Sequence, residues 1–291
     1  MKFLLLLIGF VIFSNNSFSQ FTTLVKGVSN YTRFNHSETY FVLSEREELA
    51  NSMKQAVNEF WKITPIHFVT EEEFKTISKD RDKSFVYIHK VKRKGIKQEI
   101  KVLALVNGGD DGKTTYLGKL LAFISLDNNG YESNELDLMY RLPNLIHQLQ
   151  DVVTIVKEEN ITGNSEVVVR KKLIKHYNKR IAPLKNKILL IDKRYLSQKI
   201  SSEEEIVRNY KYEVLFVDRE TIKQAVINKD SKFAYLVSSL NLYKINTVTD
   251  CETGNIIYAS FSEEDTITEE FDRTFSYEDI KNLSGHVKNG K

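Results

Sequence analysis

Residues Phe68–Tyr87, FVTEEEFKTISKDRDKSFVY, and Phe216–Tyr235, FVDRETIKQAVINKDSKFAY, can be laid over one another without a gap and agree at seven of twenty positions. The identities are Phe68/Phe216, Val69/Val217, Glu72/Glu220, Lys75/Lys223, Asp82/Asp230, Phe85/Phe233 and Tyr87/Tyr235. Several substitutions keep class, as in Phe74/Ile222. Upstream, Trp61-Lys62 faces Tyr210-Lys211 with one residue of slippage. An offset of about 150 residues is the size of a domain and far exceeds a solenoid period, so the pattern reads as duplication of a whole domain.

The patterning around both stretches agrees. In the first copy Tyr40–Leu43 is a short apolar strand, and Ser44 with Glu47 three residues on forms a candidate capping box. Leu49, Met53, Ala56, Val57 and Phe60 then recur at helical spacing. Ile66–Val69 is the next strand, Thr70 with Glu73 starts a second helix, and Ser84–His89 is a third strand. In the second copy the matching segments are Ile188–Ile191, Ser202–Tyr210, Tyr212–Val217, a helix over Arg219–Ile227 capped by Asp218, and Phe233–Val237. Strand–helix–strand–helix–strand predicts an α/β fold with two parallel crossovers per copy.

Each copy then adds a hairpin, completing a mixed sheet. Leu242–Val248 and Asn255–Phe261 flank Asp250-Cys251-Glu252-Thr253-Gly254, a run of turn residues. Glu99–Val106 and Leu117–Ser125 flank a longer turn over Asn107–Thr115. Behind Pro143, Leu142, Leu145, Ile146, Leu149, Val152, Val153 and Val156 mark a helix over 143–158. Ile161–Asn164 reads as a linker and Ser165–Lys179 as a basic helix; from Glu263 the tail is acidic and weakly patterned, and its last residues are expected to fray. The expected organisation is a signal peptide over 1–19, a first repeat over 20–163 and a second over 164–291.

Composition bounds what such a chain does. Its 291 residues include 17 Phe and 14 Tyr, which supply core and exclude a disordered chain. With 12 Gly, 3 Pro and a single Cys it is neither collagen-like nor disulfide-stapled. A net charge of +3, from 42 basic and 39 acidic residues, does not point to a polyanionic partner. Met1-Lys2 followed by the apolar run Phe3–Phe13 and by Ser17-Phe18-Ser19 has the three parts of a secretory leader, with cleavage expected between Ser19 and Gln20. That apolar run would span about 16 Å as a helix, well short of the roughly 30 Å hydrocarbon core. No Cys follows it to carry a lipoprotein anchor, and no later stretch approaches membrane-spanning length. The expectation is an exported protein, periplasmic or extracellular, not integral to a membrane.

The motifs that suggest chemistry have simpler structural readings. Asn107-Gly-Gly-Asp-Asp-Gly112-Lys113-Thr114 follows a strand, but a phosphate-binding loop needs Gly where Asn107 stands, and Asp110 and Asp111 would face the phosphate. Asp127-Asn128-Asn129-Gly130 has Gly at the fourth position, not the sixth that a calcium loop requires. His36, His67, His89, His147, His176 and His286 show no metal-ligand spacing, and there is no Gly-x-Ser-x-Gly elbow. Cys251, between Asp250 and Glu252, has neighbours that raise a thiol pKa. Glu71/Glu73 and Glu203/Glu205 suit helix starts, and Glu269-Glu270 is a further carboxylate pair; none is informative unless the fold turns it into a cleft. The Lys90–Lys101 stretch reads as a charged sheet edge and Arg170–Arg180 as the outer face of a helix, with anionic glycan or lipid head groups as an outside partner. No catalytic, cofactor or metal residues are assigned, and nucleic acid is not expected.

The Ser-Phe-Ser|Gln junction, Trp61-Lys62-x-x-Pro65-x-x-Phe68-Val69-Thr70-Glu71-x-Glu73-Phe74, Tyr210-x-Tyr212-x-Val214-x-Phe216-Val217-Asp218-x-Glu220 and Asp250–Gly254 together resemble uncharacterised exported proteins of Bacteroidota, over most of the chain after its leader. That resemblance implies an envelope or periplasmic location and transfers no activity. Phe216-Val217-Asp218-Arg219-Glu220, leading into a helix, with Thr253-Gly254 at a hairpin turn, is also similar to the α/β modules of TolB amino-terminal and CsgG-like domains. The function expected is a non-catalytic binding or scaffold protein of the envelope, engaging a protein or envelope component through the groove between the halves or a sheet edge. The alternative is a secreted glycan or peptide hydrolase whose acidic residues converge only in the fold.

Overall fold

The computed structural model describes residues 28–91, 100–109, 120–126, 135–161, 166–197, 200, 202–240, 244–262 and 275–289. It is α/β, with two mixed five-stranded sheets. The first comprises β1 (Glu38–Val42), β2 (Ile66–Val69), β3 (Lys83–Val91), β4 (Ile100–Asn107) and β5 (Leu120–Ser125), in the order β2-β1-β3-β4-β5. The second comprises β6 (Ile188–Asp192), β7 (Val214–Val217), β8 (Phe233–Leu240), β9 (Lys244–Asp250) and β10 (Ile256–Ser262), in the order β10-β9-β8-β6-β7. The second order is the first one repeated. In each sheet the opening strand pairs in parallel with the next two, and the last three run antiparallel.

Helices α1 (Val28–Asn35), α2 (Glu47–Phe60), α3 (Glu71–Ile77), α4 (Leu142–Glu158), α5 (Glu166–Asn178), α6 (Glu203–Asn209), α7 (Arg219–Ile227) and α8 (Tyr277–Asn289) cover these sheets. The crossovers explain their placement. From β1 to β2 the chain moves one way across the sheet, and from β2 to β3 it moves back past β1. Right-handed connections therefore put α2 and α3 on opposite faces. Phe41, Val86 and Leu105 accordingly pack with α2 and α4, while Phe74 and Ile77 of α3 pack with Phe85 on the other side. In the second sheet Leu189, Ile191 and Leu236 pack with Ile206 of α6 and Ile280, Leu283 and Val287 of α8. Leu190, Tyr235 and Val237 pack with Ile222 and Val226 of α7.

The duplication carries a two-residue shift that a gapless overlay hides. Between the first two strands the second copy is two residues shorter, since Thr39 pairs Ile66 whereas Leu189 pairs Val214, so the offset falls from 150 at β1/β6 to 148 at β2/β7. But α7 has 9 residues where α3 has 7. After them Asp80 and Asp230 form the same turn, each carboxylate accepting from the backbone N–H two residues on (Asp82 at 3.0 Å, Lys232 at 2.9 Å). The structural counterpart of Asp230 is thus Asp80, not Asp82, and Phe85 corresponds to Tyr235. A shift of two residues keeps every strand side chain on its own face, which is why the overlay still looks right.

Three local expectations are corrected. Ser44 does not cap α2: the helix begins at Glu47 behind Arg46, and Ser44 Oγ accepts the Arg46 N–H at 3.2 Å, a local turn that competes with the cap. The chain after Glu263 is not unpatterned to its end, since α8 buries Ile280, Leu283 and Val287 at helical spacing. The Lys90–Lys101 stretch is an edge only in part: β1 pairs with β3 only as far as Val86, so Lys90 has β4 alone beside it, while Lys101, opposite it, lies on interior β4, and residues 92–99 lie outside the described residues. The Thr70–Glu73 capping box and the Asp218 cap form as expected.

Candidate functional site

The two halves share a core, because Ile245, Ile256 and Ala259 of the second sheet join the cluster built around α4 and α5. The second copy's hairpin turn is seated on α4. Asp250 organises that turn by accepting the N–H groups of Glu252 (2.9 Å) and Thr253 (3.3 Å). Its carboxylate also meets Lys187 Nζ at 3.1 Å, a pair whose side chains are 7% and 9% exposed. Gly254, at φ +73°, lets the chain close, and its N–H donates to the Asp250 carbonyl at 3.0 Å. From α4, Gln148 Nε2 donates to the Gly254 carbonyl at 3.2 Å, His147 Nε2 meets Asn255 Oδ1 at 2.8 Å, and Asn144 Nδ2 donates to Tyr235 Oη at 3.1 Å.

Above this seat lies a cleft of about 500 Å³ between α2 of the first half and α7 of the second. The 3-10 segment Glu135–Arg141 and the start of α4 close its base through Met139, Tyr140 and Pro143. Phe60, Val226 and Ile227 add apolar wall, and Ile227 is 54% exposed. The amphipathic pattern of α2 explains its contribution: Met53, Ala56 and Val57 turn into the core, which leaves Ser52, Gln55 and Glu59 on the cleft side.

Charges at the rim are balanced. Arg219, Lys223 and Lys229 stand against Glu59, Glu220 and Glu252. Lys223 Nζ lies 3.2 Å from Glu220, whose other oxygen accepts from Gln224 Nε2 at 2.8 Å. Those hydrogen bonds, Gln224 first and then Lys223, hold the Glu220 carboxyl below the usual range, the reverse of what a general acid needs. Lys229 pairs with Glu59 across the cleft and sits 5.5 Å from the centre of the Phe60 ring. Glu252 lies 3.9 Å from Lys187. Burial, and then the Asp250 carboxylate, pushes the Cys251 thiol up to about 12, so it is no nucleophile at neutral pH.

Sequence-predicted positions fall elsewhere. Glu71 and Glu73, like Glu203 and Glu205, occupy first turns of helices on opposite halves. The N–H groups of Gly108 and Gly109 are committed to the Lys83 carbonyl (2.8 Å) and the Ser78 carbonyl (3.2 Å), so that part of the glycine-rich turn holds the sheet rather than a phosphate. His67 is a strand residue but not a core one: it stacks on Tyr40 with ring centres 4.6 Å apart, and its Nε2 lies 3.3 Å from Glu38. His176 meets Glu159 at 2.6 Å, while burial lowers the His89 pKa. Among the described residues no group of three His, Cys, Asp or Glu is placed to hold a metal ion. Ser19, Gln20, Asp110, Asp111, Lys113, Thr114, Asp127–Gly130 and Glu269-Glu270 lie outside the described residues.

Apart from Cys251, weighed as a thiol beside Glu252, the cleft residues were not read as site candidates in the sequence, because they come from segments far apart along the chain. The one local signal was Ile227, an apolar residue just past the buried stripe of α7. Among the described residues no helix is long and apolar enough to cross a membrane. No protein-family model matches the chain, and no curated protein or solved structure matches it either.

Proposed function

We propose that this chain is an exported, non-catalytic binding protein of the bacterial cell envelope, whose cleft between the halves receives an apolar segment of a partner polypeptide. The observation that carries this reading is the cleft itself: about 500 Å³, apolar at its base, with a charge-balanced rim. Its volume falls in the range of sites that engulf a ligand group. A balanced rim gives no preference for an anion or a cation, and it suits a peptide carrying both kinds of group. Each rim carboxylate faces a lysine, which favours recognition over acid–base work. Export rests on the leader and on the Ser19–Gln20 junction.

The test fills the cleft. Gln55→Trp and Lys223→Trp change accessible cleft positions without touching the shared core. Crosslinked pull-down from the native envelope should enrich one or more proteins with the unaltered chain and with a Lys281→Gln control on α8. Both cleft variants should lose that enrichment. Equal recovery by all four chains, or no protein above background, overturns the reading. Amino-terminal sequencing of the exported form should begin at Gln20.

A further inference from the structure

We propose that β7 is a pairing edge for a second copy of this chain, the two β7 strands running antiparallel across a two-fold axis at Leu215. The inference does not depend on what the cleft holds. Each sheet ends in two edge strands, and the other three carry features that discourage pairing. On β10 the Ala259 N–H donates to Asn178 Oδ1 at 2.8 Å, and on β5 the Leu121 carbonyl accepts from Tyr31 Oη at 2.8 Å. On β2, Pro65 precedes the strand and His67 stands 3.3 Å from Glu38, so an approaching strand meets polar groups. Proline and charged side chains are common means of keeping an edge unpaired. The strand β7, Val-Leu-Phe-Val, contains neither.

The phase of its ladder is fixed. The Leu189 N–H donates to the Glu213 carbonyl at 3.0 Å, so Glu213, Leu215 and Val217 turn their peptide groups toward β6. Val214 and Phe216 therefore turn theirs outward. Among the described residues no strand lies beyond β7, and nothing bonds to those outward groups. The side chains of Val214 and Phe216 pack against the core around Ile206 and Ile280, which holds the edge in place. Leu215, on the other face, is 44% exposed.

A second copy fits this edge because the edge is complementary to itself. Antiparallel pairing about a two-fold axis sets Val214 of one copy opposite Phe216 of the other, and each such pair exchanges both of its hydrogen bonds. The neighbouring registers need groups already in use: the Tyr212 N–H donates to the Tyr210 carbonyl at 2.6 Å, and the Asp218 carbonyl accepts from the Ile222 N–H at 3.5 Å. In the register that avoids them Leu215 faces Leu215 as a non-hydrogen-bonded pair, with Cα atoms about 4.5 Å apart, and each leucine covers the other. The strand contains no charge, and Glu213 falls beside Val217 of the second copy rather than beside its own counterpart. An isologous contact of this kind closes at two copies.

The experiment is sedimentation equilibrium of the full chain over a concentration series. The native chain should dimerise weakly, since an edge of 4 residues is small beside the roughly 1,200–2,000 Å² of stable interfaces. Association through the apolar leader would be common to every variant. Leu215→Lys brings two ammonium groups together and should weaken dimerisation about tenfold or more. Val214→Pro removes an outward N–H while leaving the ladder to β6, and should weaken it likewise. Cross-linking reads the register itself. Under oxidation with copper phenanthroline, Leu215→Cys should yield a disulfide-linked dimer, whereas Glu213→Cys, with Cα atoms roughly 13 Å apart across the axis, should not. Cys251 is 2% exposed and takes no part. A chain monomeric throughout, dimers undiminished by Leu215→Lys, equal cross-linking at both positions, or cross-linking of Leu215→Cys in the envelope to a different protein and not to itself overturns the proposal.

Discussion

Cys251 shows how burial sets chemistry at a single residue. Its thiol is 2% exposed at the start of the β9–β10 turn, and its pKa is pushed up to about 12 by desolvation and by Asp250. Tyr258, buried on the neighbouring strand, is likewise raised to about 12 by desolvation. Both groups bind their protons more tightly folded than unfolded, so the folded state is favoured fully below their unfolded pKa values, and that advantage is lost as pH rises from those values toward 12. Urea midpoints should accordingly stay level through neutral pH and fall above about pH 9. Thiol-reactive dye should label Cys251 in urea and leave it untouched under native conditions near pH 7. Rapid native labelling would mean that the turn opens readily and that the seat on α4 is loose.

At the scale of elements the turn is the more informative unit, because it ties the second hairpin to the first half's longest helix. At φ +73°, Gly254 occupies left-handed backbone, and a Cβ there would stand 2.7 Å from Asn144 Oδ1. Gly254→Ala should therefore combine backbone strain with displacement of α4, destabilising the protein by about 1–3 kcal/mol in urea unfolding. A loss below the measurement error would show that the turn and α4 are not packed as described. The Asp-Cys-Glu-Thr-Gly turn was legible in the sequence, as were the Thr70 and Asp218 caps, because capping and turn chemistry involve neighbours along the chain. The buried stripe of α4 was legible for the same reason. The extra length of α7 was not: two residues added to a helix followed by a strand leave the apolar alternation intact. Nor was α8, whose apolar residues are few enough to hide behind an acidic stretch.

For the whole molecule, the notable point is that the two copies meet through different faces. The first presents α2 and α4, and the second presents α7 and its β9–β10 turn. Contacts of this head-to-tail kind propagate into chains or rings when the same faces remain available on the outer ends. Here the outer ends do not match. Trp61 and Tyr210 both close their helices by donating four residues back, to Val57 and Ile206, so Arg208 is the counterpart of Glu59 and Asn209 that of Phe60. The turn at Asp80 and Asp230 makes Lys79 the counterpart of Lys229. A further molecule docking by the internal rule would set Arg208 against Lys79, without an aromatic ring beneath. This divergence was invisible in the sequence, since it concerns which residues face one another across the halves rather than which neighbour one another along the chain. It can be tested through the pair that the internal contact does form. Glu59→Lys and Lys229→Glu should each weaken unfolding stability, and the double exchange should restore a coupling of about 0.2–1 kcal/mol, as expected of a partly exposed ion pair. The recovery should shrink in high salt. Additive losses in the double exchange would mean that the pair contributes nothing, and that apolar burial and the turn on α4 alone hold the halves together.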